Sequence, residues 1–352
     1  MEALKITITC LGYLLVFITL LPLIRHDYWI FRVFEYPRIQ KLVATMVILV
    51  AFISIFKIDS FHDYVFSGLL TANLAYLCFQ VYPFTMLAKK QVIKTSVQDP
   101  DKCIKLFIGN VFQDNREAEE YLRSIRSVDP DVILLVETDA WWAEQAESFE
   151  STHPYRLLVP LENTYGMLLY SKFELVDASI KFLVEDDIPS IHTCIKLPSG
   201  DMIRFHGLHP TPPVPGENPR STERDKEILK VAKSAKKSEL PVIVAGDLND
   251  VAWSYTTLLF TKISGLLDPR VGRGFYNTFH AGHRLMRFPL DHIFCSTNFT
   301  LVDIQRMPNC GSDHFPMYIQ LQYQPRAAAV QEEPQADAAD LEMAQEKLNK
   351  PT

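Results

Sequence analysis

The chain has few cysteines, and the six present, Cys10, Cys78, Cys103, Cys194, Cys295 and Cys310, fall at no paired spacing. That excludes a disulfide framework and a zinc knuckle. It has no G-x-x-x-x-G-K-[ST] loop and no G-x-S-x-G elbow, so nucleotide-driven chemistry and a serine nucleophile lose support. It also lacks a cationic excess. With 35 Lys and Arg against 42 Asp and Glu in 352 residues, the formal net charge is −7, which argues against a bulk electrostatic grip on nucleic acid. A local basic groove stays open.

What the first quarter lacks is charge. Ile6 to Ile24 (ITITCLGYLLVFITLLPLI) carries none and matches a hydrocarbon core that needs about 20 residues. Leu42 to Phe56 (LVATMVILVAFISIF) is shorter, and Val65 to Phe84 (VFSGLLTANLAYLCFQVYPF) is again of spanning length. The sequence therefore predicts a transmembrane region over residues 1–94, with helices at 6–24, 42–58 and 65–86, and a lipid bilayer as partner. A cleavable signal peptide is the rival for the first run, which lacks a small-x-small cleavage site and a clearly basic start. A buried hairpin is the rival for the other two. Arg25, Arg32, Arg38 and Lys41 lie between the first two runs, and Lys89, Lys90 and Lys94 follow the third. Only Lys5 and Lys57 flank the opposite side. The positive-inside rule then turns the rest of the chain toward the cytoplasm, and one uncrossed run reverses it. Tyr28, Trp29, Phe31 and Phe34 form an interfacial belt or an amphipathic surface helix.

Past Lys94 short β-like runs alternate with helical ones. CIKLFIGN, DVILLVE, YGMLLYS, SIHTCIKL, MIRFHGLH, PVIVAG, PLDHIFCS and FPMYIQLQY read as strands, REAEEYLRSIRSV and the stretch after Arg220 as helices. Strands outnumber helices, which predicts an α/β domain over 95–323 with more sheet than a doubly wound fold. Residues 324–352, rich in Ala, Glu, Gln and Pro, read as a disordered acidic tail with one frayed helix near its end.

Polar residues punctuate the strand ends: Asn110 after FIG, Glu137 after DVILLV, His209 in FHGLHP, Asp247 and Asn249 in LPVIVAGDLND, Asp291 at the start of LDHIF, and Asp313 with His314 in GSDHFP. Singly each is an ordinary cap or turn, since Gly, Asp and Asn are the common turn formers. Jointly they supply carboxylates and amides for a hard cation, plus histidines with a carboxylate to orient one of them. His206 and His209 are three apart on a strand and point to opposite faces, so they do not share an ion. His206 is expected to be packed, and His292 to point away from the Asp291 side. His280 and His283, with Arg284 and Arg287, lie in a loop, where substrate contact and plain solvation are equally open.

This ordered set resembles the endonuclease/exonuclease/phosphatase superfamily over roughly Lys102 to Tyr323, and the apolar N-terminus is similar to its bacterial membrane-bound branch, the one associated with glycopeptide-antibiotic resistance. The resemblance implies a four-layer α-β-β-α sandwich of two mixed sheets behind an N-terminal helical transmembrane region. It implies a metal-dependent phosphoesterase using Mg²⁺ (or Mn²⁺), with Glu137 as principal ligand and Asn110 and Asp313 nearby. Asp247 would orient or deprotonate the attacking water, Asn249 donate to a phosphate oxygen, His314 held by Asp291 contact the same phosphate, and His209 donate from the other side. Arg220 or Arg224 would reach a second phosphate; the rival is a helix N-terminus with surface charges. A tethered protein most readily meets lipid-linked phosphates, so a lipid or other small phosphate ester is the expected substrate, a nuclease the alternative, and a catalytically silent membrane scaffold the alternative of another class. No protein partner is expected. The branch implies the bacterial inner (plasma) membrane with the catalytic domain outside, against the charge bias.

Overall fold

The computed structural model describes residues 1–351. It opens with α1 (Glu2–Leu20), a short α2 (Trp29–Arg32), α3 (Arg38–Ile55) and α4 (Phe61–Val81). With their flanking turns, three of these make segments long and apolar enough to cross a membrane, Glu2–Ile24, Arg38–Ile55 and Phe61–Phe84. Their outer faces expose Ile6, Leu11, Leu14, Phe17, Val47, Val50 and Ile53. Small and polar residues hold the bundle together. A Cβ on Gly12 would lie 2.5 Å from the Phe66 ring, Asn73 donates to Thr45 at 3.0 Å, and Lys5 pairs with Asp63 at 2.8 Å. The helices start a few residues ahead of the apolar runs, and for α4 a polar cap sets the start. Ser60 and Asp63 form a capping box that starts α4 at Phe61.

Eleven strands follow among the described residues: β1 (Cys103–Asn110), β2 (Val132–Val136), β3 (Tyr155–Val159), β4 (Met167–Ser171), β5 (Glu174–Phe182), β6 (Pro189–Lys196), β7 (Met202–Leu208), β8 (Val242–Asp247), β9 (Asp291–Cys295), β10 (Phe299–Arg306) and β11 (Met317–Tyr323). They form two sheets, ordered β10-β11-β1-β2-β4-β3 and β5-β6-β7-β8-β9. Each is mixed and has one parallel pair, β1 with β2 and β7 with β8. Alternation along these central strands builds the layers. Ile104, Leu106 and Ile108 of β1 and Val132, Leu134 and Val136 of β2 meet Ile203 and Phe205 of β7 and Ile243 and Ala245 of β8 in one core between the sheets.

The alternate residues point outward. Phe107, Ile133 and Leu135 pack under α5 (Ala118–Val128) and α6 (Ala140–Ala146); Val242, Val244 and Phe294 pack under α7 (Thr222–Lys236) and α8 (Tyr255–Ser264). The result is the expected four-layer α-β-β-α sandwich. β2 and β8 are buried on both faces, so they read as unbroken apolar runs.

Two expectations need correction. Residues 324–351 are not a disordered tail. After a 3₁₀ turn (Pro325–Ala329) the chain forms α9 (Ala338–Asn349), started by an Asp337–Asp340 capping box. Ala344 joins the core of α7 and α8, with Met343 and Leu348 packed beside it, and Lys347 makes a buried ion pair with Asp225. Its composition is also that of a good helix, and the apolar stripe is too sparse to stand out. The basic residues between the first two apolar runs are not free loop charges either. Arg32, Arg38 and Lys41 are all buried, Arg32 donating to Thr256 at 2.9 Å and Lys41 to the Phe34 carbonyl at 2.7 Å. Arg32 and Lys41 therefore serve internal contacts.

Candidate active site

The two parallel strand pairs deliver their carboxyl ends to the same place, where a mixed sheet opens a crevice. β1 ends on Asn110, paired with Val136 of β2. Glu137 follows at φ 61°, a left-handed conformation that glutamate seldom adopts. In the second sheet β7 runs into His209, β8 ends on Asp247, and Asp247 pairs with Asp291 at the start of β9. Gly246 has φ 139°, and a Cβ there would lie 2.0 Å from the Leu208 carbonyl oxygen. Only glycine lets β8 bring Asp247 against the end of β7. That answers why LPVIVAGDLND carries its glycine before its acid. The loop before β11 adds Ser312, Asp313 and His314.

One amide joins the sheets. Asn110 Nδ2 donates to Glu137 Oε1 at 2.6 Å and to Asp247 Oδ2 at 3.1 Å. Asp247 Oδ1 accepts from the Asn249 backbone N–H at 2.9 Å. The His314 imidazole is clasped between two carboxylates, with Nδ1 2.8 Å from Asp291 and Nε2 3.5 Å from Asp247. Burial opposes its charge, but Asp291 and Asp247 outweigh burial and lift its pKa to about 10. His209 goes the other way. Burial pushes it down and keeps it neutral; its Nε2 lies 3.9 Å from Glu137 Oε1, and Tyr165 packs beside the ring at 5.4 Å.

The acids are held in an unfavourable state without a cation. Burial pushes Glu137 up to about 7, the Asn110 hydrogen bond offsetting only part of this; burial also raises Asp313 and Asp291. Asp313 Oδ1 and Asp291 Oδ1 are buried without a hydrogen-bond partner. Oxygen-only donors of this kind fit a hard divalent ion such as Mg²⁺ or Mn²⁺. Asp247, Asp291 and His314 also bring ligand-type atoms within 4.8 Å of one another. There, however, both imidazole nitrogens face carboxylates, an arrangement met by a proton on each nitrogen and not by a metal.

The site makes metal affinity pH-dependent in a defined direction. Glu137 must lose its proton to bind a cation, and its folded pKa is about 7. Mn²⁺ affinity is therefore expected to rise about tenfold per pH unit up to roughly pH 7 and to level off above it. Calorimetric titration at a series of pH values checks this; affinity flat through that range would rule out Glu137 as a ligand.

A profile of the Endonuclease/Exonuclease/phosphatase family matches residues 109–314, more than half of the chain. The chain belongs to the endonuclease/exonuclease/phosphatase family. Its members hydrolyse phosphate esters, and this protein is a hydrolase of that class. No curated protein matches the chain. Among solved structures, D. rerio TDP2 complexed with a single-strand DNA product is similar at TM-score 0.53 and 16% identity, covering 62% of this chain and 99% of that one. The human Nocturnin catalytic domain with bound sulfate is similar at TM-score 0.51 and 15% identity, covering 69% and 99%. An endonuclease/exonuclease/phosphatase from Bacteroides vulgatus gives 0.51 and 16%, covering 63% and 99%. At these identities the likenesses show the shared fold.

Within this family site the structure gathers Asn110, Glu137, His209, Asp247, Asp291, Asp313 and His314. Asn249 borders them at φ 51°, its Nδ2 donating to the Pro210 carbonyl at 3.0 Å. Of the two arginines weighed for a second phosphate, Arg224 is committed elsewhere. Arg224 is buried, donating to the Asn249 carbonyl at 2.7 Å and pairing with Asp225 at 2.9 Å and Asp250 at 3.4 Å. It braces the Asp247–Asp250 loop from behind, because the first turn of α7 faces inward. Arg220 is exposed, on a loop whose backbone pairs with Tyr28. Arg224→Met is expected to destabilise the fold by about 3–5 kcal/mol by stranding buried acids, read by urea unfolding; a raised KM with unchanged stability would restore the phosphate role.

His206 and His292 lie outside the site. His206 meets His192 at 2.6 Å; His292 meets Arg270 at 2.7 Å and the Asp250 carbonyl at 2.8 Å.

Several supports were not visible in the sequence. Ser312 donates to the Asn110 carbonyl at 2.8 Å, and Thr278 accepts from the Asp291 N–H at 3.1 Å. Tyr36, from the helical region, donates to the Asn249 carbonyl at 3.0 Å. Ser312 sits next to Asp313 and was open to notice; Tyr36 lies 213 positions from its partner, with no local signal.

Proposed function

We propose that the protein is a membrane-anchored, divalent-metal-dependent phosphoesterase that hydrolyses a lipid-linked or other small phosphate ester with an activated water. The observation that carries this reading is the Asn110 amide bridging Glu137 and Asp247 beside an imidazole clasped by Asp291. Glu137, Asn110 and Asp313 would hold Mg²⁺ or Mn²⁺, and the bound ion would supply Lewis acidity toward the phosphoryl oxygen and offset charge on the leaving oxygen. Asp247, oriented by Asn110 and the Asn249 N–H, positions the water and takes its proton. His314, charged, donates to a phosphate oxygen through Nε2 while Asp291 fixes the ring. His209, neutral, donates to the scissile phosphate from the other side, and Asn249 offers its remaining amide hydrogen.

Two features favour a lipid or small ester over a nucleic acid. The wall beside Tyr165 is lined by Glu162, Glu185, Asp187 and Glu217, which repels a polyanion. The loop from His280 to Phe288 borders Asp313, whose carbonyl accepts from the Ala281 N–H, and exposes Leu285 and Met286 between Arg284 and Arg287. Gln40 at the start of α3 donates to the Leu285 carbonyl at 2.7 Å, so this apolar and basic tip sits beside a helix read as a span. The exposed apolar faces of α1 and α3 support bilayer anchoring.

Full-length protein with Mg²⁺ is assayed on lipid pyrophosphates, phospholipids and DNA. Turnover of a lipid-linked phosphate without DNA cleavage is expected; DNA cleavage without lipid turnover would make it a nuclease.

A further inference from the structure

Where the helical region meets the sandwich lies a cavity of about 430 Å³ that the hydrolytic chemistry does not use. Its volume falls within the usual range for ligand pockets, about 300–1,000 Å³. Leu23, beyond the end of α1, and Phe79, in the last turns of α4, help form its apolar wall. Both are also exposed, so the cavity opens onto the outer apolar surface of the helices.

The polar lining is unbalanced. Arg38, at the start of α3, is only 7% exposed, lines the cavity, and makes no side-chain hydrogen bond or ion pair with any described residue. Nearby Lys41 donates to the carbonyls of Phe34 at 2.7 Å and Ile18 at 3.5 Å, which leaves one of its three protons. Arg25 lies over the Tyr255 ring at 4.3 Å. Glu35, the acid in the lining, is paired with Arg32 at 3.4 Å. The unmet charge is therefore positive.

A guanidinium largely withdrawn from water without a protein partner is costly, and an anion in the cavity would offset that cost. A forked donor suited to phosphate, set in apolar walls that open onto apolar helix faces, matches an anion attached to hydrocarbon chains. We propose that this cavity is a binding site for one anionic phospholipid, its headgroup phosphate on Arg38 and Lys41 and its chains leaving past Leu23 and Phe79. The proposal rests on the bilayer reading of the helices and not on the hydrolytic one.

Native mass spectrometry of the full-length protein in a neutral detergent tests it, with dioleoyl phosphatidylglycerol, dioleoyl phosphatidylcholine and inorganic phosphate as probes. One equivalent of phosphatidylglycerol is expected to bind at least about tenfold more tightly than phosphatidylcholine. R38Q is expected to lose that preference and R38K to keep it. L23W, which fills the apolar end without touching a charge, is expected to weaken phosphatidylglycerol binding about tenfold, and it carries the test if R38Q does not fold. E137A is expected to bind lipid as the wild type does, which separates this site from the catalytic one. Equal affinity for the two lipids, unchanged binding in folded R38Q or L23W, displacement by equimolar inorganic phosphate, or loss of binding in E137A would each overturn the proposal.

Discussion

Glu137→Ala is expected to lower kcat/KM for hydrolysis of the phosphate ester by about 10³-fold or more, because the metal's contribution to transition-state charge is worth several kcal/mol. The left-handed backbone at Glu137 and its 2.6 Å contact with Asn110 place this carboxylate at the seam of the two sheets. Its removal takes away the acid that burial has lifted to about 7, so the apo-protein is expected to lose nothing in stability near neutral pH. The sign follows from linkage. A carboxyl whose folded pKa lies above its unfolded value of 4.5 makes the apo-protein less stable as pH rises between the two, and bound Mg²⁺ reverses the penalty. Steady-state kinetics with urea unfolding, each with and without Mg²⁺, checks both halves. Activity within tenfold of wild type would remove Glu137 from the mechanism.

Asp291→Asn is expected to act through His314 and to show in the pH profile. In the wild type the imidazole keeps its charge up to a pKa of about 10, with Asp291 the largest of the carboxylate contributions. Charge on a histidine is lost as pH rises through its pKa, so the wild-type rate should hold into the alkaline range. In the variant Asp247, at 3.5 Å, and more weakly Asp313 remain to support the charge, and the pKa falls toward the ordinary histidine range. The variant should be lower in kcat by at least about 10²-fold near pH 9, with a much smaller deficit near pH 6. Stability follows the same sign. A histidine raised in the folded state contributes stability that is fully present below its unfolded pKa and is lost as pH climbs through about 10. A uniform drop across the profile would mean that Asp291 only holds the loop in place.

Much of the site was legible because its residues sit at strand ends, where a period-two apolar run stops and a polar residue interrupts it. CIKLFIGN coincides with β1, and Asn110 falls at its last position. The runs holding Glu137, Asp247 and Asp291 differ from β2, β8 and β9 by only a residue or two. Edge strands were harder to read. β5 is largely exposed and has a bulge between Val176 and Ser179, so no alternation marks it. Arg224 misled because one arginine in a charged stretch looks like any other. Its burial depends on Asp250, 26 positions on, and on the Asn249 carbonyl. The packing of α9, expected only as a frayed helix, was hidden because its burial depends on Asp225, 122 positions away from Lys347. In each case the deciding partner is distant in sequence, and composition carries no trace of it.

The central claim is that side chains at the ends of β1 and β2 and in the loop before β11 hold one divalent ion at Glu137, facing Asp247 of the second sheet. Anomalous diffraction from crystals grown with Mn²⁺ tests it most directly. A single peak within coordination distance of a Glu137 carboxylate oxygen, absent from E137A, is expected. A peak seated instead between Asp247, Asp291 and His314, or no peak at all, would contradict it.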